Sequence, residues 1–211
     1  MATKLEVYNS ALILLGARAL ATLSDNRSER RSLDAVFDPA FQYMIEAGLW
    51  HFAAVTDELS PSDTVKSNFG YQFVYEKPDD YIRLIKLSDN ERFTPTLEDY
   101  SEEGDFFLTD SQPIWIQYVS NDIEAGADPG KWSGSFLTAF VDELAYRAAA
   151  QIASVPITTK DWLAKKKKQS LYYAKGKSAV NQPRGNLPVG RLVRARAGTR
   201  YINAMRRTPY A

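Results

Sequence analysis

The chain holds one histidine, His51, set between Trp50 and Phe52. A histidine serves as a general base only with a partner that orients its ring and a substrate within reach. Nothing near it in the sequence supplies either, so His51 reads as a structural residue. Two other stretches imitate catalytic motifs and fail on spacing. "AKGKS" at 174–178 ends like a phosphate loop, but the required earlier glycine is replaced by Leu171, and Gly176 follows a helical pattern rather than a strand. "GKWSG" at 130–134 places its serine one position late for a nucleophile elbow. Acidic pairs at Asp57-Glu58 and Asp79-Asp80, and the cluster from Glu98 to Asp105, lack the oxygen spacing and turn glycine of a hard-metal loop. They read as solvated turns, the largest also as a face for a basic partner. With no cysteine, there is no thiolate nucleophile, disulfide or cysteine zinc site. The expectation is a protein with no catalytic residue, cofactor or metal, and so not an enzyme.

Charge is plentiful and unevenly placed. The 211 residues carry 26 Lys+Arg and 26 Asp+Glu, yet Met1 to Asp161 holds 13 basic against 26 acidic residues, and Trp162 to Ala211 holds 13 basic residues and no acid. An acidic body thus ends in a basic segment. Its final stretch mixes Arg191, Arg194, Arg196, Arg200, Arg206 and Arg207 with Tyr201, Ile202 and Met205. A purely electrostatic tail has no use for Ile and Met, so the mixture reads as an arm that orders on a protein surface, its apolar members anchoring and its arginines pairing around them. A nucleic-acid-binding module acting through this basic end is the alternative, since Arg194, Arg196, Arg200 and Tyr201 interleave cationic and aromatic groups. Lys165 to Lys168 are consecutive and would fan around a helix, a poorer geometry for tracking one phosphate backbone.

A chain of this length and ordinary globular composition can bury a full core. No stretch reaches the roughly 18 apolar residues of a spanning helix, and the first residues lack a basic, cleavable leader, so neither a membrane nor secretion is expected. Thr3-Lys4-Leu5-Glu6 has the form of a capping box, and Leu5, Tyr8, Leu12 and Leu15 follow at helical spacing. A second helical face runs from Leu33 to Ile45 through Pro39, where a kink is expected. From about Gly70 to Ser120 the period shortens. "YQFVYE", "YIRLIKL", "DFFLT" and "IWIQYVS" are aromatic and β-branched, and read as a small antiparallel sheet in which the Lys77-Pro78-Asp79-Asp80 turn joins two strands. Helical period returns at Ser135, with Phe136, Phe140, Leu144, Ala148 and Ile152 in one stripe, and again after Pro156.

The expected architecture is therefore α+β, mainly α: a four-helix bundle with one small antiparallel β insert between helices 2 and 3 and an extended C-terminal arm. Its segments are a helical body over 1–66 and 121–180, the insert over 67–120 and the arm over 181–211. Trp50, Phe52, Phe140 and Leu144 are the expected structural core, Trp50 and Phe52 closing the helices over the sheet.

In their order these pieces resemble the head-to-tail adaptor, or tail tubular protein A, family of tailed bacteriophages. "VYNSALILLGARALATLSD" is similar to that family's opening helix and small turn, and "AFQYMIEAGLWHFA" to its second helix, closed by Trp-x-Phe-Ala. "FVYEKPDDYIRLIKL" is similar to its aromatic strand, Pro-x-Asp turn and next strand, and "FLTAFVDELAYRAAAQIA" to its late Ala-rich helix. The likeness spans about 5–177. It implies a structural virion protein at the head-tail interface, assembled in the host cytoplasm as a ring, commonly dodecameric, beneath the portal. Such a ring lengthens the channel through which DNA passes without sequence-specific contact and offers a platform to a downstream tail or nozzle protein. On this view the arm docks on the portal or on a neighbouring subunit.

Overall fold

The computed structural model describes residues 2–65, 70–152 and 155–180. Among the described residues four α-helices, α1 (Lys4–Leu14), α2 (Ser28–Glu46), α3 (Gly134–Gln151) and α4 (Ile157–Val180), enclose in sequence six strands: β1 (Ala54–Leu59), β2 (Phe73–Glu76), β3 (Tyr81–Ser88), β4 (Ser101–Glu103), β5 (Phe106–Thr109) and β6 (Ile114–Ser120). The strands form two three-stranded antiparallel sheets, ordered β1-β6-β3 and β2-β5-β4. A four-helix bundle with a single small insert is therefore not the fold. The β region is a second layered structure with a core of its own, and short helical turns at His51–Ala53, Ile123–Ala127 and Pro129–Lys131 carry the chain between it and the helices.

Two features of the sequence concealed this. β1 reads Ala-Val-Thr-Asp-Glu-Leu and β4 Ser-Glu-Glu. Both are edge strands paired on one side only, so their polar residues face water and the aromatic signal of a strand is missing. The second is the Lys77-Pro78-Asp79-Asp80 turn. It does join β2 to β3, but β2 pairs with β5 and β3 with β6, so the turn crosses between sheets instead of closing a hairpin. Asp80 fixes the crossing: its carboxylate accepts the Tyr118 hydroxyl at 3.0 Å and a short hydrogen bond from the Ser120 hydroxyl, both on β6.

Tyr75, Leu87, Phe107, Ile114, Ile116 and Tyr118 fill the space between the sheets. Tyr81 lies edge-on to Phe107 at 5.6 Å. On the other face of the β1-β6-β3 sheet, Val119 is buried in the helical core, and Ile82 and Ile85 pack against that core. Register shifts in the β3–β6 ladder between Tyr81 and Arg83 and between Leu84 and Lys86 break the two-residue alternation, so that Tyr81, Leu84 and Leu87 join the inter-sheet core and Ile82 and Ile85 the helical one.

In the helical layer α3 packs against α1, α2 and α4. Thr3 caps α1, its hydroxyl accepting from the Glu6 N–H at 3.3 Å while the Glu6 carboxylate accepts from the Thr3 N–H at 2.9 Å. Ser133 caps α3 through the Phe136 N–H. α2 continues past Pro39, which lies on its exposed face, where the carbonyl it leaves without an N–H partner can meet water. Trp50, 1% exposed, donates its indole N–H to the Met44 carbonyl at 2.8 Å and stands edge-on to Phe136 at 4.7 Å, with half-buried Phe52 stacked beside it. Phe140 and Leu144 are fully buried, each contributing about 1.5–3 kcal/mol by leaving water.

Candidate interaction surface

The apolar face of α3 is interrupted by two acids, Asp142 and Glu143, only 1% and 3% exposed. A buried carboxylate is costly unless it is paired and hydrogen-bonded. α4 and α3 provide the partners. Lys166 Nζ lies 2.9 Å from Asp142 Oδ1, Lys167 Nζ lies 3.2 Å from Glu143 Oε2, and Arg147 Nε donates to Glu143 Oε1 at 2.6 Å. Lys167 also sits 3.7 Å from the Tyr146 ring centroid and Arg147 5.0 Å from that of Tyr43. Asp142 Oδ2 is buried with no hydrogen-bond partner among the described residues. The ion pairs set the position of α4 along α3, because a slide of one turn would pull both lysines away from the buried acids.

This pairing divides the lysine quartet. Lys166 and Lys167 turn inward to the acids, while Lys165 and Lys168 face water. Leu163 and Ala174 hold the inward face, so the opposite one is wholly exposed and carries Trp162, Lys165, Lys168, Tyr172 and Lys175 at spacings of three or four residues. Trp162 is 49% exposed and Tyr172 is 82% exposed, with Tyr173 and Val180 flanking them. Asp161 is the single acid on that face. The outer face of α4 thus carries three ammonium groups and two aromatic rings along one exposed stripe.

The β4–β5 hairpin and the loop before it present the opposite charge. Glu98, Asp99, Glu103 and Asp105 are all exposed, and none forms an ion pair among the described residues. Asp99 accepts the Tyr71 hydroxyl at 3.1 Å. Their neighbour Glu102 is held differently: Lys77 Nζ lies at 2.8 Å and the Tyr81 hydroxyl at 3.0 Å. Burial alone would raise its carboxyl pKa, but these two hydrogen bonds and the Lys77 charge outweigh it and keep the group below the ordinary glutamate value. Lys77 further lies over the Tyr81 and Phe107 rings, which ties the acidic hairpin to the inter-sheet core.

His51 lies exposed at the rim of a cleft of about 600 Å³ with Lys131, Ser133, Ser135, Tyr173 and Lys177. Among the described residues the lining of this cleft is lysines, hydroxyls and aromatic rings, with no carboxylate. The cleft wall is instead held by structural contacts: Ser178 Oγ donates to the Leu49 carbonyl at 2.7 Å, which pins the end of α4 to the loop before Trp50. Among the described residues, no helix is long and apolar enough to cross a membrane.

The arm residues Arg191, Arg194, Arg196, Arg200, Tyr201, Ile202, Met205, Arg206 and Arg207 lie outside the described residues. The residues that sequence reasoning passed over are Asp142 and Glu143. Their signal was present, since two acids inside an otherwise apolar stripe require cations, and the sequence offers Arg147 four residues after Glu143 and the Lys165–Lys168 quartet on the next helix. No known protein-family model matches this chain, and no curated protein matches it either.

Proposed function

We propose that the chain is a structural head-to-tail adaptor of a tailed bacteriophage. It would form a ring below the portal that extends the DNA channel and carries the tail, with the arm from 181 onward docking on the portal or a neighbouring subunit. The observation that supports this most is the division of charge: a basic, aromatic face on α4 and an acidic β4–β5 hairpin, both exposed to solvent. The sequence likeness spanning about 5–177 supplies the kind of assembly. The Trp162, Lys165, Lys168 and Tyr172 stripe also favours a second reading, a nucleic-acid-binding module with the acidic layers as its carrier.

Capture from a nuclease-treated lysate of phage-infected host cells separates them. Tagged full-length protein is expected to retain a large portal-like protein, identified by mass spectrometry, and the Arg194→Glu/Arg200→Glu variant to lose it. If capture disappears with nuclease, or binding to DNA falls linearly with salt on logarithmic axes with a slope of several, the nucleic-acid function replaces the adaptor.

A further inference from the structure

We infer that the outer face of α4 docks on the acidic β4–β5 hairpin of a second copy of this chain, forming a head-to-tail contact between subunits; this rests on the adaptor role proposed above. The pair of surfaces is complementary in sign and composition. Lys165, Lys168 and Lys175 project from α4, with Trp162 one turn before Lys165 and Tyr172 between Lys168 and Lys175. Glu103 and Asp105 project from the hairpin and Glu98 and Asp99 from the loop before it, and β4 is an edge strand whose outer side has no ladder partner among the described residues.

The two occupants that compete with a second copy fit less well. The chain's own segment from 181 onward carries seven arginines and no acid, so it offers the lysines of α4 like charge and not the opposite charge. A nucleic acid approaching α4 would have to overcome the field of a body with 26 acidic against 13 basic residues, all carried on the same molecule. That same field attracts the basic face of another subunit. The aromatic rings favour protein as well. Trp162 and Tyr172 are large and rigid, and a contact made of such side chains bordered by lysines has the composition of an interface core with a polar rim. Because the two faces differ, the contact is heterologous: it propagates from copy to copy and closes into a ring when the rotation per subunit permits.

A charge-exchange experiment on the full-length protein tests this. One variant carries Lys165→Glu and Lys168→Glu, a second Glu103→Lys and Asp105→Lys, and all four side chains are exposed, so both variants should melt as the wild type does. Sedimentation velocity over a concentration series is expected to show self-association of the wild type that weakens with salt. Each variant alone should lose it by about ten-fold or more in dissociation constant, and an equimolar mixture should recover it, because each altered face then meets its opposite. Monomeric wild type at every concentration overturns the inference, as does association indifferent to the reversals or a mixture that fails to recover. So does a stripe whose reversal abolishes binding to a DNA duplex while leaving self-association intact. Recovery in the mixture without any portal capture would leave this contact standing and remove the adaptor role. Portal capture with association indifferent to the reversals would do the opposite.

Discussion

Lys166 Nζ lies 2.9 Å from Asp142 Oδ1, joining a lysine one-third exposed to a carboxylate that is 1% exposed. Removing the cation leaves the acid buried, with one oxygen already lacking a partner. Lys166→Ala should therefore lower stability by about 2–3 kcal/mol, somewhat under the usual cost of breaking a buried pair because water reaches the lysine. Asp142→Leu together with Lys166→Met should recover most of that loss, since a packed apolar pair no longer carries the desolvation penalty. Urea unfolding midpoints of the two variants decide it, and a double variant weaker than the single one would be the contrary result.

Tyr8, Tyr81 and Tyr118 hold their protons well above the ordinary tyrosine pKa. Burial is the main cause in each, strengthened by the carboxylates of Asp34, Glu102 and Asp80 that accept their hydroxyls. The folded state binds these protons more tightly than the unfolded chain does. The stabilisation is thus whole below the unfolded tyrosine pKa of about 10 and is lost as pH rises beyond it. Melting temperature should fall steeply above about pH 10, with phenolate absorbance growing in step with loss of near-ultraviolet circular dichroism. Full phenolate formation in a still-folded protein would contradict this.

Gly126 makes a close backbone approach. A Cβ placed there would stand 2.2 Å from the Ser120 carbonyl oxygen and 3.1 Å from the Ala53 side chain. The same segment accepts the Trp132 indole N–H on the Gly126 carbonyl at 2.7 Å, so a backbone shift would also disturb a buried tryptophan. Gly126→Ala should cost about 1–3 kcal/mol by overpacking, read as a lowered thermal midpoint. An unchanged midpoint would mean that the turn relaxes freely.

Trp50 ties the end of α2 to the start of the β layers. Trp50→Ala should cost about 3–5 kcal/mol and give insoluble protein, whereas Trp50→Phe, which keeps the packing on Phe136 but drops the bond to Met44, should stay soluble with a smaller loss. Soluble, normally melting Trp50→Ala protein that failed only to assemble would instead make Trp50 an interface residue.

The sequence by itself determined those features that depend on neighbours in the chain. The capping box at Thr3 and Glu6, the apolar stripe of α3, the break at Pro156 and the aromatic strands β2, β3, β5 and β6 follow from local hydrogen bonding and side-chain periodicity. The mismatches at "AKGKS" and "GKWSG" belong here too, because catalytic loops have fixed local spacing. Which strands share a sheet was decided only by tertiary structure: β2 and β3 are adjacent in sequence yet pair with β5 and β6, and an edge strand such as β1 can be largely polar. Periodicity reports which face of a segment is buried and carries no information on what covers it. The division of Lys165 to Lys168 arose in the same way. On the chain they are four equal charges, and only the seating of α4 on α3 turns two toward buried Asp142 and Glu143 and leaves two beside Trp162 and Tyr172, facing outward.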